Sequence, residues 1–168
     1  GGTSLHHLQI ADHDDWKLGA GDFTIEFWTN STLNNYQRIM GHTAHNAGGT
    51  REGWNFYIDQ DSGMSFYYST SGANEFSFSL NDDGLVKINQ WTYYCLVRNT
   101  TNIKVYINGK LADTSTSLGS ANIYNSTEPL NIGAMNQSGS MTTTAQYEGF
   151  LDGIALWTSE HSADTVIE

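Results

Sequence analysis

The sequence predicts an all-β fold, either a sandwich or a barrel. Aromatic and β-branched residues come in short runs that alternate with polar residues, which is typical of strands with one buried face. Gly, Asn, Asp and Ser separate these runs and favour turns between them. Helical signal is confined to the end, where Ser162 is a candidate N-cap for a short C-terminal helix.

The first half of the chain contains four of these runs. Residues 23–28 alternate strictly and predict the first long strand. Residues 54–58 and 64–68 flank the turn-forming sequence 59–63 and predict a hairpin. Residues 76–78 place two phenylalanines two apart, so a further short strand is expected there.

The second half predicts a central strand and a tight hairpin. Residues 91–98 are apolar on both faces, as expected of a strand that is covered on both sides. Residues 103–107 alternate and end at Asn108-Gly109, a pair that favours the type I′ turn of a two-residue hairpin. Runs over 130–133 and 147–157 complete the predicted strands.

Length and charge narrow the class of protein. The 168 residues suit a single domain with its own core, so we expect one domain over residues 1–168. Because the chain starts with Gly1-Gly2 and lacks an initiator Met, we expect the domain to be cut from a longer protein. Seven basic against 18 acidic residues give a net charge of −11, which argues against nucleic acid or anionic membranes as partners.

The length of the apolar runs and the number of cysteines exclude two further classes of protein. No apolar run approaches the roughly 20 residues of a membrane span, so membrane insertion is not expected. Cys95 is the only cysteine, which excludes an internal disulfide framework. It lies in a predicted central strand, where a buried thiol is inert, and we do not expect it to be a nucleophile.

Three segments, in this order along the chain, carry a family resemblance. They are residues 21–28 (GDFTIEFW), residues 91–98 with 103–110 (WTYYCLVR and IKVYINGK), and residues 130–133 with 147–157 (LNIG and YEGFLDGIALW). Together they resemble the laminin-G-like, concanavalin A-like jelly-roll superfamily. The resemblance implies two curved antiparallel sheets followed by a short C-terminal helix. At Gly153 the sequence departs from many relatives, which carry a second acidic residue after the aspartate.

The superfamily includes glycosidases, but the residues do not favour hydrolysis. Glycoside hydrolysis needs two carboxyl groups about 5–9.5 Å apart. Glu148 and Asp152 would lie roughly 13 Å apart along one strand, which is too far. Glu26 stands alone on its strand, and we expect it to pair with Arg98 on a neighbouring strand. The sequence therefore predicts a protein without catalytic residues.

A structural calcium ion is one possible cofactor. Calcium prefers several oxygen ligands, and residues 11–15 form an acidic loop after the first strand. In this fold class the first and last strands are commonly neighbours, so Asp12 or Asp14 could meet Asp152 around one ion. The alternative is a solvated acidic turn. Residues 81–84 are a weaker second candidate loop, and His42 with His45 provides too few ligands for zinc.

A glycan site would combine an aromatic face with polar side chains in nearby loops. We expect Trp16, Trp28, Trp91 and Trp157 to pack in the core or against a sheet. The loops around the strand at residue 54 are the richer candidates, with Tyr36 and Arg38 as possible flanking residues. The predicted carbohydrate-binding residues are His42, His45, Asn46, Arg51, Trp54 and Tyr67. The alternative is a long loop without a ligand.

The sequence thus favours a noncatalytic recognition module that binds a glycan or a surface protein. Binding of this kind is weak per site and gains strength through repetition, so we expect display on a multimeric parent protein. The acidic, Ser/Thr/Asn-rich sequence suits an extracellular, cell-surface or virion setting. Two alternatives remain: a structural or decoration domain of a virion or surface assembly, and a glycoside hydrolase domain.

Overall fold

The computed structural model describes residues 6–33, 35–45, 52–59, 63–80, 87–137, 140–141 and 146–160. Within these residues it contains thirteen strands and one 3-10 turn at Asp14–Trp16. The strands are β1 Leu8–Ile10, β2 Phe23–Ser31, β3 Gln37–His42, β4 Trp54–Asp59, β5 Gly63–Ser69, β6 Glu75–Leu80, β7 Thr92–Asn99, β8 Asn102–Ile107, β9 Lys110–Ser115, β10 Leu130–Ile132, β11 Asn136–Gln137, β12 Ser140–Met141 and β13 Gly149–Trp157.

Two antiparallel sheets form the sandwich, as predicted. One has six strands in the order β1-β10-β3-β4-β5-β6, and the other has five in the order β13-β2-β7-β8-β9. Strands β11 and β12 form a separate small hairpin. The predicted C-terminal helix at Ser162 and the loop at 81–84 lie outside the described residues. In the part of the chain that is described, no helix is long and apolar enough to span a membrane.

The core lies between the two sheets and is rich in aromatic rings. Phe27 of the five-stranded sheet meets Phe56 of the six-stranded sheet edge to face, with ring centres 5.5 Å apart. Phe23 and Phe66 bridge the same two sheets at 6.2 Å. All four side chains are at most 1% exposed. Such rings bury large apolar areas, so their positions fix which face of each strand points inward.

The β8–β9 hairpin closes as the sequence predicts. Ile107 pairs with Lys110, which leaves Asn108 and Gly109 as the two turn residues. Their φ angles are 49° and 76°, the positive pair that a type I′ turn requires. The turn also anchors β7, because Asn108 Oδ1 accepts a hydrogen bond from the Tyr93 backbone N–H.

The predicted pairing of Glu26 with Arg98 is wrong. Arg98 lies opposite Phe23 in the β2–β7 ladder and therefore points into the core, where it is fully buried. Glu26 is three residues further along β2 and points to the other side of the sheet, since successive side chains alternate. The guanidinium of Arg98 instead donates to the backbone carbonyls of Gly19, Gly119 and Ala121 at 2.8–3.0 Å.

Arg98 thereby ties the segment before β2 to the segment after β9. We predict that Arg98→Met lowers the free energy of unfolding by about 3 kcal/mol, because three carbonyls lose a charged donor. Urea denaturation of the variant measures this loss. Lys110→Met, at an exposed position, is the control and should stay within about 0.5 kcal/mol of the unchanged protein. A loss below about 1 kcal/mol for Arg98→Met would contradict this role.

Candidate carbohydrate-binding face

The pleat of β2 presents Glu26 and Trp28 on the outer face of the five-stranded sheet. Phe23, Ile25 and Phe27 of the same strand point into the core and are at most 1% exposed. Trp28 is 41% exposed, and Glu26 is half-buried. A large indole left exposed on a regular strand offers a flat apolar surface to a ligand.

Glu26 is held in place by two donors from the neighbouring strands. Its Oε2 accepts a hydrogen bond from Tyr93 Oη of β7 at 2.5 Å. Its Oε1 accepts one from Trp157 Nε1 of β13 at 3.3 Å. The carboxylate therefore lies fixed between the two rings, and it retains lone pairs for a further donor.

Trp28 packs between Tyr93 and the β-bulge of β13. Its ring centre is 5.2 Å from that of Tyr93, at an interplanar angle of 44°. On the other side, β13 shifts register between Asp152 and Ala155, and Gly153 adopts φ 56°. A Cβ atom at Gly153 would lie 3.2 Å from Trp28 Cδ1, so this glycine lets the strand approach the indole closely.

We call the surface formed by Glu26, Trp28, Tyr93, Asp152 and Trp157 the tryptophan face. Asp152 lies directly opposite Trp28 in the β2–β13 ladder and is exposed. Trp157 is 44% exposed and lies opposite Thr24. The face thus combines two exposed indoles with two carboxylates.

A second apolar cluster stiffens this face from within. It consists of Tyr93, Cys95 and Val97 of β7 with Tyr106 of β8, all buried although they lie on the outer side of the sheet. Burial raises the pKa of the Cys95 thiol to about 12, with Glu26 adding to the shift, so the thiol stays protonated at neutral pH. Burial and the bond to Glu26 also raise the pKa of Tyr93, which keeps its hydroxyl a donor.

The aromatic surface continues towards the end of the sheet. Trp91 precedes β7 and is 47% exposed, and Phe150 of β13 is 64% exposed. Their ring centres are 6.5 Å apart. Both lie beyond Trp28 along the direction of β2. Phe150 pairs with Asn30, and Trp91 immediately precedes Thr92, which pairs with Thr29. The exposed rings therefore form an elongated strip rather than one spot.

Of the residues predicted to bind carbohydrate, the four that the structure describes do not share an exposed surface. Trp54 is 1% exposed, and its Nε1 donates to the Trp16 carbonyl at 2.9 Å. His42 is fully buried, whereas His45 is half-buried. Tyr67 lies on the outer face of the six-stranded sheet. Asn46 and Arg51 lie outside the described residues.

Trp16 is half-buried against the core as predicted, but the other four tryptophans are placed opposite to the prediction. Trp54 is in the core, whereas Trp28, Trp91 and Trp157, which were expected to be packed away, are 41–47% exposed. The phase of each alternating run carries this information: Trp54 is in phase with the buried Phe56, and Trp28 is out of phase with Phe27. The phase of these two runs therefore assigns Trp28 to the surface and Trp54 to the core.

The three acids predicted to bind calcium are also apart. The expectation that the first and last strands are neighbours is wrong, because β1 pairs with β10 and β13 pairs with β2. Asp14 binds Lys17 Nζ, and Asp152 accepts a hydrogen bond from the Gly153 N–H. Asp12 lies 3.0 Å from Nε2 of the buried His42. Among the described residues, no group of three or more His, Cys, Asp or Glu is placed to hold a metal ion.

The family to which the sequence matches is consistent with the two-sheet sandwich. The profile of the laminin G family described as the concanavalin A-like lectin/glucanases superfamily matches residues 2–167. No curated protein matches the sequence.

Three solved structures illustrate the structural likeness. The CBM40 module of the Ruminococcus gnavus IT-sialidase, bound to alpha2,3 sialyllactose, is 16% identical with a TM-score of 0.73, over 88% of this chain and 81% of that chain. A heptameric SAP-like pentraxin from Limulus polyphemus is 15% identical with a TM-score of 0.65, over 99% and 76%. The binding domain of botulinum neurotoxin serotype G is 15% identical with a TM-score of 0.64, over 96% and 41%. At such identities these likenesses show the fold.

Because His42 is buried beside Asp12, we predict that the free energy of unfolding depends on pH. Burial lowers the pKa of His42 below its ordinary value of about 6.5, against the opposing effect of Asp12. His42 is then neutral in the folded state, while the unfolded chain takes up a proton below pH 6.5. Folding stability should therefore fall as the pH drops from 7.5 to 5.5, with a slope from this residue of at most about 1.4 kcal/mol per pH unit.

Denaturation at a series of pH values measures this slope. His42→Gln, which keeps a donor for Asp12 but does not titrate, should flatten it. His13→Gln, at an exposed histidine, should leave it unchanged. An equal slope in His42→Gln and the unchanged protein would refute the assignment.

Proposed function

The chain belongs to the concanavalin A-like lectin/glucanases superfamily, and on that premise we propose that it is a noncatalytic module that binds carbohydrate through the tryptophan face. The observation that carries this proposal is the exposure of Trp28 and Trp157 on one regular sheet, with Glu26 between them. Exposed indoles on a rigid strand lose little conformational entropy when a ligand stacks on them.

The geometry suits an extended saccharide. Trp28 lies four residues along β2 from Thr24, the partner of Trp157, so the backbone positions of the two tryptophans are about 13 Å apart along the strand direction. The Trp157 indole reaches towards Trp28 as far as Glu26, and a ligand that contacts both indoles must span more than one sugar unit. The C–H faces of sugars pack on indoles, and sugar hydroxyls are donors that Glu26 and Asp152 can accept.

The carboxylates of this face suit binding better than catalysis. Both oxygens of Glu26 already accept hydrogen bonds from the protein. A general acid must instead present a proton to the glycosidic oxygen. Asp152 accepts from its own neighbour Gly153. These contacts support a role for both groups as acceptors of sugar hydroxyls.

The structural neighbours support a carbohydrate ligand. The similar CBM40 module is a binding module of a sialidase and was solved with a bound sialyllactose. The similar neurotoxin segment is a binding domain. By analogy we propose that the present chain also binds carbohydrate outside the cell, as part of a secreted, cell-surface or virion protein. We further propose that a multimeric parent protein provides avidity.

A second candidate function is docking to a protein surface. Phe150 and Leu111 are 64% and 55% exposed on the same side of the sheet. Exposed apolar side chains of this size also mark protein contacts. A multivalent glycan array distinguishes the two: the carbohydrate proposal predicts hits with a folded sample, and a complete absence of hits would favour docking or decoration.

We predict that Trp28→Ala and Trp157→Ala each weaken binding to an array-positive oligosaccharide at least about tenfold, because each removes a stacking surface. Isothermal titration calorimetry measures the loss. Tyr124→Ala is the matched control, since Tyr124 is also 41% exposed but lies in the segment between β9 and β10. Thermal denaturation checks that each variant folds, and full affinity in a folded Trp28→Ala would exclude this face as the site.

A further inference from the structure

The tryptophan face carries negative charge that no basic side chain of its own strands balances. Its two carboxylates belong to Glu26 and Asp152. The strands that supply the face, β2, β7 and β13, contain a single Lys, Arg or His between them, Arg98, and this side chain points into the core. None of the ion pairs found among the described residues involves either carboxylate.

Lys104 of β8 lies on the same side of the sheet but in a different row. It lies opposite Val97, which in turn lies opposite Thr24. Its backbone is therefore two strands, or about 10 Å, away from β2. Exposed charges at this separation are largely screened at physiological salt, so Lys104 leaves the carboxylates beside Trp28 unbalanced.

The two carboxylates flank the indole of Trp28. Asp152 lies directly opposite Trp28 in the ladder, where the Cβ atoms of facing residues are about 5 Å apart. Glu26 is two residues from Trp28 on the same face of β2, or about 7 Å along the strand. A sugar ring that stacks on Trp28 therefore lies next to two carboxylates, one across the ladder and one along the strand.

The substituent that suits this position best is a cation. A hydroxyl group offers one neutral donor, whereas an ammonium group offers three donors and a positive charge, and its hydrogen bonds to a carboxylate are stronger. An ammonium group close to the indole face is also attracted by the ring. An acidic substituent at the same place would be repelled by Glu26 and Asp152.

We propose that the tryptophan face selects saccharides with a free amino group, whose ammonium pairs with Glu26 and Asp152 when the sugar stacks on Trp28. This inference rests on the proposed function, because it concerns the same face and names the class of saccharide bound there. The net charge of −11 favours the approach of such a cationic chain, and the two carboxylates beside Trp28 determine where its amino group is held.

Three tetrasaccharides with the same β-1,4-linked backbone test this preference by titration calorimetry. They are the tetramers of glucosamine, N-acetylglucosamine and glucose, which differ in carrying an ammonium, an acetamide or a hydroxyl group at C2. Below the pKa of the sugar amine, we expect the glucosamine tetramer to bind at least about fivefold more tightly than either neutral tetramer. This advantage should disappear as the pH rises through the pKa of the amine, and it should shrink as salt is added.

Variants that remove charge but keep shape locate the interaction. Asp152→Asn and Glu26→Gln should each reduce the preference for the glucosamine tetramer about threefold, and the affinity for the glucose tetramer should change less than about twofold. Asp15→Asn is the matched control, since it removes one exposed charge outside the face and should keep the full preference. Thermal denaturation checks that each variant folds. Because Asp152 is exposed, its variant keeps the test decisive even if Glu26→Gln disturbs the contacts to Tyr93 and Trp157.

The outcomes that overturn this inference differ from those that overturn the proposed function. Equal affinity for the three tetramers, or equal losses in Asp15→Asn and Asp152→Asn, would refute selection by charge. The proposed function would stand in that case if a neutral glycan binds and Trp28→Ala weakens it. The complete absence of glycan binding would refute both.

A basic peptide is the other class of cationic ligand, and acetylated tetralysine amide, which carries as many positive charges as the glucosamine tetramer, tests it. It lacks sugar rings to stack on Trp28 and should bind at least about fivefold more weakly than the glucosamine tetramer. Equal affinity of the two would overturn the inference and reassign the face to basic peptides.

Discussion

The pleat of β2 is the constraint on which the rest of the structure depends. Because successive side chains point to opposite faces, burying Phe23 and Phe27 against the other sheet forces Glu26 and Trp28 outward. The next strand, β7, repeats the pattern around Tyr93, whose hydroxyl then meets Glu26. The same strand therefore supplies side chains to the core and to the tryptophan face. A one-residue shift in its register would exchange the two sets.

The two outer faces of the sandwich differ in chemistry. The five-stranded sheet presents the exposed indoles of Trp28 and Trp157 beside two carboxylates. On the six-stranded sheet the polar side chains of Arg38 and Asn55 are buried. The exposed aromatic surface on which the proposed function depends therefore belongs to the five-stranded sheet.

Alternation and turn chemistry predicted the fold because both are local. The run at residues 23–28 and the pair Asn108-Gly109 each specify their geometry within a few residues. The site was harder to predict because it depends on register between distant segments. Phase alone could have assigned Trp28 to the surface, but the contact between Asp12 and His42 joins residues 30 positions apart. Arg38 likewise lies beside Ala134 and Met135, nearly a hundred residues later in the chain.

The indole N–H signals of the five tryptophans give the most direct test of the central claim. In a nuclear magnetic resonance titration with an array-positive neutral oligosaccharide, the signals of Trp28 and Trp157 should shift as binding saturates. The signal of Trp54, whose buried N–H is bonded to the Trp16 carbonyl, should stay in place. Saturated binding that leaves both Trp28 and Trp157 unshifted would contradict the account.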